Sequence, residues 1–415
     1  MLYLTLAFFM VLPLFGVMVM ETGEVSPFID EPGAANGASL AFTVHLLAFF
    51  LAFMWALRLW GHNRVAGGPA GTTRTTTPRR YDNYASTCAL LFAILAVMML
   101  FVFGGINVLA LSVDKAEFRI SLGPFGAIMT LATKWLMPAM FAALVRAGMD
   151  QGWTGERRAI ALFCGLCLCI VGASWGFKTT IVLMLLPALI LVSWRLRARA
   201  FVALALFTLV NVVALSLFFD QHEDLGIALD ALVFRLTALQ GDLAWYTWDK
   251  VAGGGDTPGY LKTFLPVLGD GVLRQITGAD PQRDYADWAS YYFGPAMTLY
   301  GGYPVEGVMM GVTNQATIFA EALVIGGKYF FVMASAFFGL LVGWVAARLK
   351  ASIDGRRYAA AATLSTFFSF TVLSWVLGNG FSSLFYLINL VGAAGTYAMI
   401  HFLLRVPRRR KVVPA

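Results

Sequence analysis

The residues that could do chemistry in this chain are a few carboxylates, a few cations and a concentration of aromatic rings. Asp242, Asp284, Asp287 and Glu321 are the carboxylates that could take a proton from a hydroxyl, and His222 is the one histidine near them in sequence. A general base at such a site must be one of these groups. The cations in the same parts of the chain are Lys115, Arg119, Lys178, Arg235, Lys250, Lys262, Arg274, Arg283 and Lys328. Their partners could be nearby acids, lipid phosphates or a phosphorylated substrate, for which the planar guanidinium is well shaped. Tyr246, Trp248, Trp288, Tyr291 and Tyr292 belong to an aromatic-rich stretch that holds seven of the 14 tyrosines. Rings with a polar handle suit stacking on sugars, and equally an interfacial aromatic belt.

Most catalytic signatures are missing. The chain has no GxSxG, HExxH, Walker A sequence or Asp-x-Asp, so a metal-assisted transfer has no sequence support. Cys164-x-x-Cys167 has neither a histidine nor a further cysteine pair at ligand spacing. Those thiols, with Cys88 and Cys169, read as small apolar residues inside helices. No cofactor and no metal is expected.

The elements that must position these residues follow from composition. Of 415 residues 59% are apolar and 13% charged, against about 25% charged in a soluble domain; mean hydropathy is +0.73. Ten apolar runs stand out: 2–20, 40–60, 85–105, 125–145, 159–175, 179–194, 201–219, 329–349, 359–377 and 384–404. Each approaches the roughly 20 residues that cross a bilayer as a helix. The expected fold is therefore an all-α polytopic membrane protein of about ten spans. The first run has no positive n-region and no A-x-A site, and reads as a retained anchor.

Charge alternates between the segments that join these runs. Arg58 and the segments after runs two, four, six, eight and ten hold 20 of the 30 Lys and Arg but four of the 23 acids. The remainder holds 10 cations and 19 acids. The net charge of +7 thus divides into +16 and −9, which places both termini in the cytoplasm. Nucleic acid is not expected as a partner; the basic balance is topology. The organisation is spans over 1–219, a large periplasmic loop over 220–328, and spans with a basic tail over 329–415.

The 109-residue loop is too long for a connector. Leucines 225, 229, 232, 236 and 239 give it a helical stripe, with Arg235, Asp242 and Asp249 alongside, ended by Gly253–Gly255. A second helical pattern places Asn314, Thr317 and Glu321 on one face, and Gly326 and Gly327 separate it from the eighth run. Amphipathic helices on the outer membrane surface fit both. Lys134 lies mid-span, where a charge costs roughly 2.5–3.5 kcal/mol on insertion scales and marks a functional position.

This arrangement resembles the O-antigen polymerases, the Wzy class of oligosaccharide repeat-unit polymerases. The segment Asp114–Arg119 is similar to the family's basic stretch before the fourth span. Gly172–Lys178 is similar to its short turn, with Lys178 where Arg is usual. Arg283 with Gly294 matches an Arg-x10-Gly motif, and Asn314–Gly343 resembles the stretch into the late span. The resemblance implies a glycosyltransferase of the bacterial inner membrane with its site facing the periplasm. Its substrates would be oligosaccharides on undecaprenyl pyrophosphate. It implies cations for the pyrophosphate leaving group: Arg235 and Arg283 first, then Arg119, Lys178 and Arg274. It implies a carboxylate base, for which Glu321 and Asp242 lead and Asp284 follows, and sugar-binding rings at Tyr246, Trp248, Trp288, Tyr291 and Tyr292. The bilayer and a chain-length regulator protein are the partners it suggests.

Two other readings differ in their sequence marks. An O-antigen ligase shares the topology but usually has a histidine near the end of the large loop, and here His222 is near its start. A transporter or lipid flippase would show internal repeats and several intramembrane charges; the sequence has no repeat and one clearly mid-span charge.

Overall fold

A computed structural model describes residues 2–23, 37–61, 78–110, 112–113, 117–118, 121–175, 178–193, 226, 241–309 and 316–404. Among them the secondary structure is helical and contains no strand. Long apolar runs leave no other local solution in hydrocarbon, since a helix satisfies its own backbone groups.

The longer helices are α1 (Leu2–Glu21), α2 (Ala38–Gly61), α3 (Arg80–Val102), α4 (Gly126–Gln151), α5 (Gly155–Ser174), α6 (Lys178–Ser193), α7 (241–252), α8 (Asp270–Thr277), α9 (Phe293–Tyr300), α10 (Thr317–Asp354), α11 (Tyr358–Asn379) and α12 (Leu387–Leu404). Nine of the ten apolar runs coincide with a helix. The run at 201–219, the leucine stripe at 225–239, Arg235, Arg119 and Asn314 lie outside the described residues. Seven helices among the described residues are long and apolar enough to cross a membrane: α2 to α5 and α10 to α12. The apolar parts of α1 and α6 are shorter, Thr5–Glu21 and Thr180–Ser193.

The chain divides into two compact units. One takes Met1–His62, Leu196–Arg348 and Phe367–Val391; the other takes Asn63–Arg195, Leu349–Thr366 and Gly392–Ala415.

In the second unit α3 packs on α4 and α5, and α6 packs on α4 and α5. Tyr84 of α3 donates its hydroxyl hydrogen to the Met140 carbonyl at 2.9 Å, which ties α3 to α4. Arg157 at the start of α5 donates to the Asp82 carboxylate at 2.8 Å. Buried Arg146 donates to the Leu191 carbonyl at 3.4 Å and lies 3.8 Å from Asp150, which accepts from the Tyr358 hydroxyl at 3.0 Å. Lys134 occupies a widened π-helical turn, Leu131–Leu136, with its ammonium 4.4 Å from the Trp175 ring centre. The Trp175 indole donates to Thr133 at 3.2 Å. The ring face is an electrostatic partner for a cation away from water.

In the first unit α2 and α10 approach closely. A side chain on Gly339 would meet the Phe49 carbonyl oxygen at 2.2 Å, and one on Gly343 would meet the Ala56 methyl at 2.6 Å. With Ser335 one turn earlier, these form a small-residue stripe of the kind that lets membrane helices touch backbone to backbone. Ser335 also joins the two helices by a 2.6 Å bond to His45 Nδ1, and its own hydroxyl donates to the Phe331 carbonyl at 2.7 Å.

Helix α10 is not continuous. At Gly327 the backbone takes φ 58° and ψ −168°, a conformation open in practice to glycine alone. The Gly326–Gly327 pair predicted from sequence to separate a short helix from the eighth run is thus where the helix breaks. Likewise α7 ends where Gly253–Gly255 begin.

Candidate functional site

The break in α10 leaves a ten-residue piece, 317–326, that carries Glu321. This carboxylate is fully buried. Its Oε1 accepts from the Tyr260 hydroxyl at 2.7 Å and from the Phe381 backbone N–H at 2.6 Å. Its Oε2 accepts from the Trp375 indole N–H at 2.6 Å. Three donors from separate stretches therefore converge on one acceptor: the residue before the 3-10 segment Leu261–Leu268, the end of α11, and the turn Phe381–Phe385. Hydrogen bonds to a carboxylate are among the strong ones. Burial, and next the Glu321 carboxylate, push the Tyr260 phenol well above the usual tyrosine range.

Rings cement this cluster. Tyr260 meets Phe264 and Phe293 edge-on at 5.7 and 5.9 Å. Phe381 lies 5.3 Å from Trp375 and 6.1 Å from Phe338. A cavity of about 580 Å3 opens beside it, and Tyr260, Phe264, Phe330, Met333, Phe337 and Phe381 are among its lining residues. Its volume falls within the range of small-molecule sites. Tyr260 and Phe381 therefore each contact Glu321 on one side and the apolar cavity on the other.

Asp242 forms a second buried pair, with the Tyr303 hydroxyl 3.1 Å from its Oδ2. Burial first and Asp242 second raise the Tyr303 phenol. Asp284 is solvent-exposed and caps the short helix Tyr285–Ala289, accepting from the Asp287 N–H at 3.0 Å. That is the work of an N-cap residue. Asp242, Asp284 and Glu321 thus occupy three different settings.

The cations differ as well. Arg274 and Arg283 flank Asp280 at 3.9 and 4.0 Å, and Arg283 is 85% exposed. Lys178 is the first residue of α6.

The aromatic residues fall into two groups. Tyr246 and Trp248 of α7 pack inward: Tyr246 against Tyr300 at 5.5 Å and Trp248 against Phe331 at 6.2 Å. Trp288 and Tyr292 belong to a row that runs Tyr285, Trp288, Tyr292, Tyr386, with ring separations of 5.4, 4.5 and 6.4 Å. Tyr292 donates to Asp270 at 2.5 Å, and burial followed by that bond raises its phenol. Tyr291 faces the Lys262 ammonium at 5.6 Å. The buried indole N–H of Trp288 has no acceptor among the described residues.

Tyr260, Trp375 and Phe381 were not singled out from sequence. They lie 61, 54 and 60 positions from Glu321, and no spacing rule links residues so far apart. The described residues form no cluster of three His, Cys, Asp or Glu side chains with metal-holding geometry. Cys164 and Cys167 are buried in α5, as packing residues are.

The fold and site define an all-α chain with helices of membrane-crossing length and a buried carboxylate wired to the wall of an apolar cavity. No family model, curated protein or solved structure matches the chain.

Proposed function

We propose that this chain is a polytopic inner-membrane glycosyltransferase that polymerises oligosaccharide repeat units carried on undecaprenyl pyrophosphate, at the periplasmic face. The observation that carries the reading is the Tyr260–Glu321 pair: a phenol that lines a 580 Å3 apolar cavity and is bonded at 2.7 Å to a buried carboxylate.

The chemistry has three requirements. An acceptor hydroxyl attacks the anomeric carbon of the donor while the bond from that carbon to the pyrophosphate oxygen breaks. The pyrophosphate leaves with the electron pair. The hydroxyl proton passes to the Tyr260 oxygen as the phenolic proton passes to Glu321, so Tyr260 touches the acceptor and Glu321 acts through it. Arg274 and Arg283 are the described cations of this unit offered for the leaving group's charge. The apolar cavity suits part of a polyprenyl tail. The Trp288–Tyr292 row suits sugars.

The experiment is complementation of a strain lacking the gene, with the polysaccharide ladder as readout. Y260F and E321Q should each reduce chains longer than one repeat by about 100-fold or more, with the protein still present in the membrane. Full-length ladders from both variants would refute the assignment. Accumulation of single capped units marks a polymerase, uncapped core marks a ligase, and activity of the purified protein without an ion gradient excludes a transporter.

A further inference from the structure

Residues 261–277 carry their large apolar side chains on the wrong side for a segment in water. Leu261, Leu268 and Ile276 are 83%, 59% and 62% exposed, and Leu265 and Val272 are exposed too. The side turned into the protein holds Thr263, Pro266 and Leu273, which are buried, and Phe264, half-buried against Tyr260 and Phe381. Burying a leucine-sized side chain is worth about 1.5–3 kcal/mol, so five left outward in one segment amount to an unmet apolar face.

That face is continuous with another. Leu261 and Phe264 line the same cavity as Phe330, Met333 and Phe337 of α10. Phe330 and Met333 are themselves 63% and 69% exposed, and Tyr329 and Phe337 join them. These residues occupy the first turns after the break at Gly327. Where α10 crosses a bilayer, they face hydrocarbon near one surface of it, and Leu261 and Phe264 at the start of the 261–277 segment lie beside them. Lys262 and Arg274 sit along the same segment, and the intervening Asp270 is occupied by Tyr292.

We infer that residues 261–277 form an interfacial anchor. The leucine–isoleucine face lies in the leaflet at the Gly327 end of α10, while Lys262 and Arg274 reach anionic lipid headgroups. This is the geometry of an in-plane amphipathic segment, whose strength scales with buried apolar area plus attraction to anionic lipid. Long cationic side chains extend their heads to the headgroup layer while their stems stay apolar. The mouth of the cavity then opens on acyl chains and not on water. The inference rests on α10 crossing the membrane and not on the reaction proposed above.

The test uses the full-length protein in nanodiscs of neutral phosphatidylcholine, with or without phosphatidylglycerol. An environment-sensitive fluorophore is placed in turn on L265C, L268C and I276C, with Q282C as a water-exposed reference. Expected are blue-shifted emission at the three segment sites, quenching by lipids with a nitroxide high on the acyl chain, and little quenching by iodide. The lipid quenching should strengthen with phosphatidylglycerol and lose that gain in K262Q/R274Q. Strong iodide quenching at all three sites would overturn the inference by placing the segment in water. Protection from both quenchers would also overturn it, by showing that protein, such as a second copy of the chain, covers the face.

Discussion

Glu321 concentrates more hydrogen-bond geometry than any other residue described here. It accepts from a phenol, an indole and a backbone N–H, all within 2.7 Å. Removing the acceptor strands three donors, the Trp375 indole buried and the other two part-buried, and an unsatisfied buried group costs about 1–3 kcal/mol. E321A should therefore lower thermal stability in detergent by several kcal/mol, whereas Y260F should cost less, about 1.5–3 kcal/mol, since one hydrogen bond to a carboxylate is lost. Thermal unfolding of the purified variants reads this directly; equal stability of E321A and the parent would show that the cluster is not formed. The sequence marked Glu321, because it shares a helical face with Thr317 ahead of two glycines. It could not mark Tyr260, Trp375 or Phe381, which meet it through tertiary folding. Asp284 was legible only as a carboxylate. Its place before Tyr285-Ala-Asp287 is also the signature of a helix start, and that is the role its hydrogen bond fills.

At the scale of elements, the helices were legible because their driving force is written in composition: runs of apolar residues, punctuated by glycine. The ends at Gly253 and the break at Gly327 follow from the same punctuation. The contact between α2 and α10 was not read, although its residues are visible: Ser335, Gly339 and Gly343 recur every four positions. Whether such a stripe meets another helix depends on the partner's position. Here Phe49, Phe53 and Ala56 fill it. Enlarging either glycine should force the helices apart. G339L and G343L are expected to lose about 1–3 kcal/mol, with G339L the worse, because its new side chain would meet backbone at 2.2 Å, whereas backbone lies 2.8 Å from one at Gly343. Cysteine pairs placed across the α2–α10 contact should cross-link in the parent and fail to do so in G339L. The π-helical turns at Leu131–Leu136, Phe368–Val372 and Trp375–Asn379 left no trace in the hydrophobic pattern, since runs that are apolar on nearly every side carry no stripe whose phase a widened turn could shift.

For the molecule as a whole, the division of charge makes a prediction that geometry alone cannot. The +16 segments should share one side of the membrane and the −9 remainder the other. In intact cells an impermeant thiol reagent should label Q282C, on an exposed loop residue, and should reach A351C, in the last turn of α10, only after permeabilisation. Labelling of both from the same side would refute the topology. This prediction draws on what is legible in sequence, summed charge and length, to which insertion responds while hardly responding to detail. The same averaging explains why the arrangement of the loop residues was not: 69 of them, 241–309, take up four helical pieces longer than five residues or their 3-10 equivalent without any long apolar run to announce them.

The bond between His45 and Ser335 has a consequence of its own. A serine hydroxyl has one hydrogen, and that of Ser335 is given to the Phe331 carbonyl. The hydrogen between serine and imidazole must then belong to His45 Nδ1. The other ring nitrogen, Nε2, is buried with no hydrogen-bond partner among the described residues, and the imidazole lies among the Phe42, Phe49 and Phe319 rings. Imidazole, hydroxyl and carbonyl thus form a chain with one polarity, from α2 into α10. Reversing it would require moving two hydrogens at once, so the sense of this wire is fixed by the serine's back-bond to its own helix.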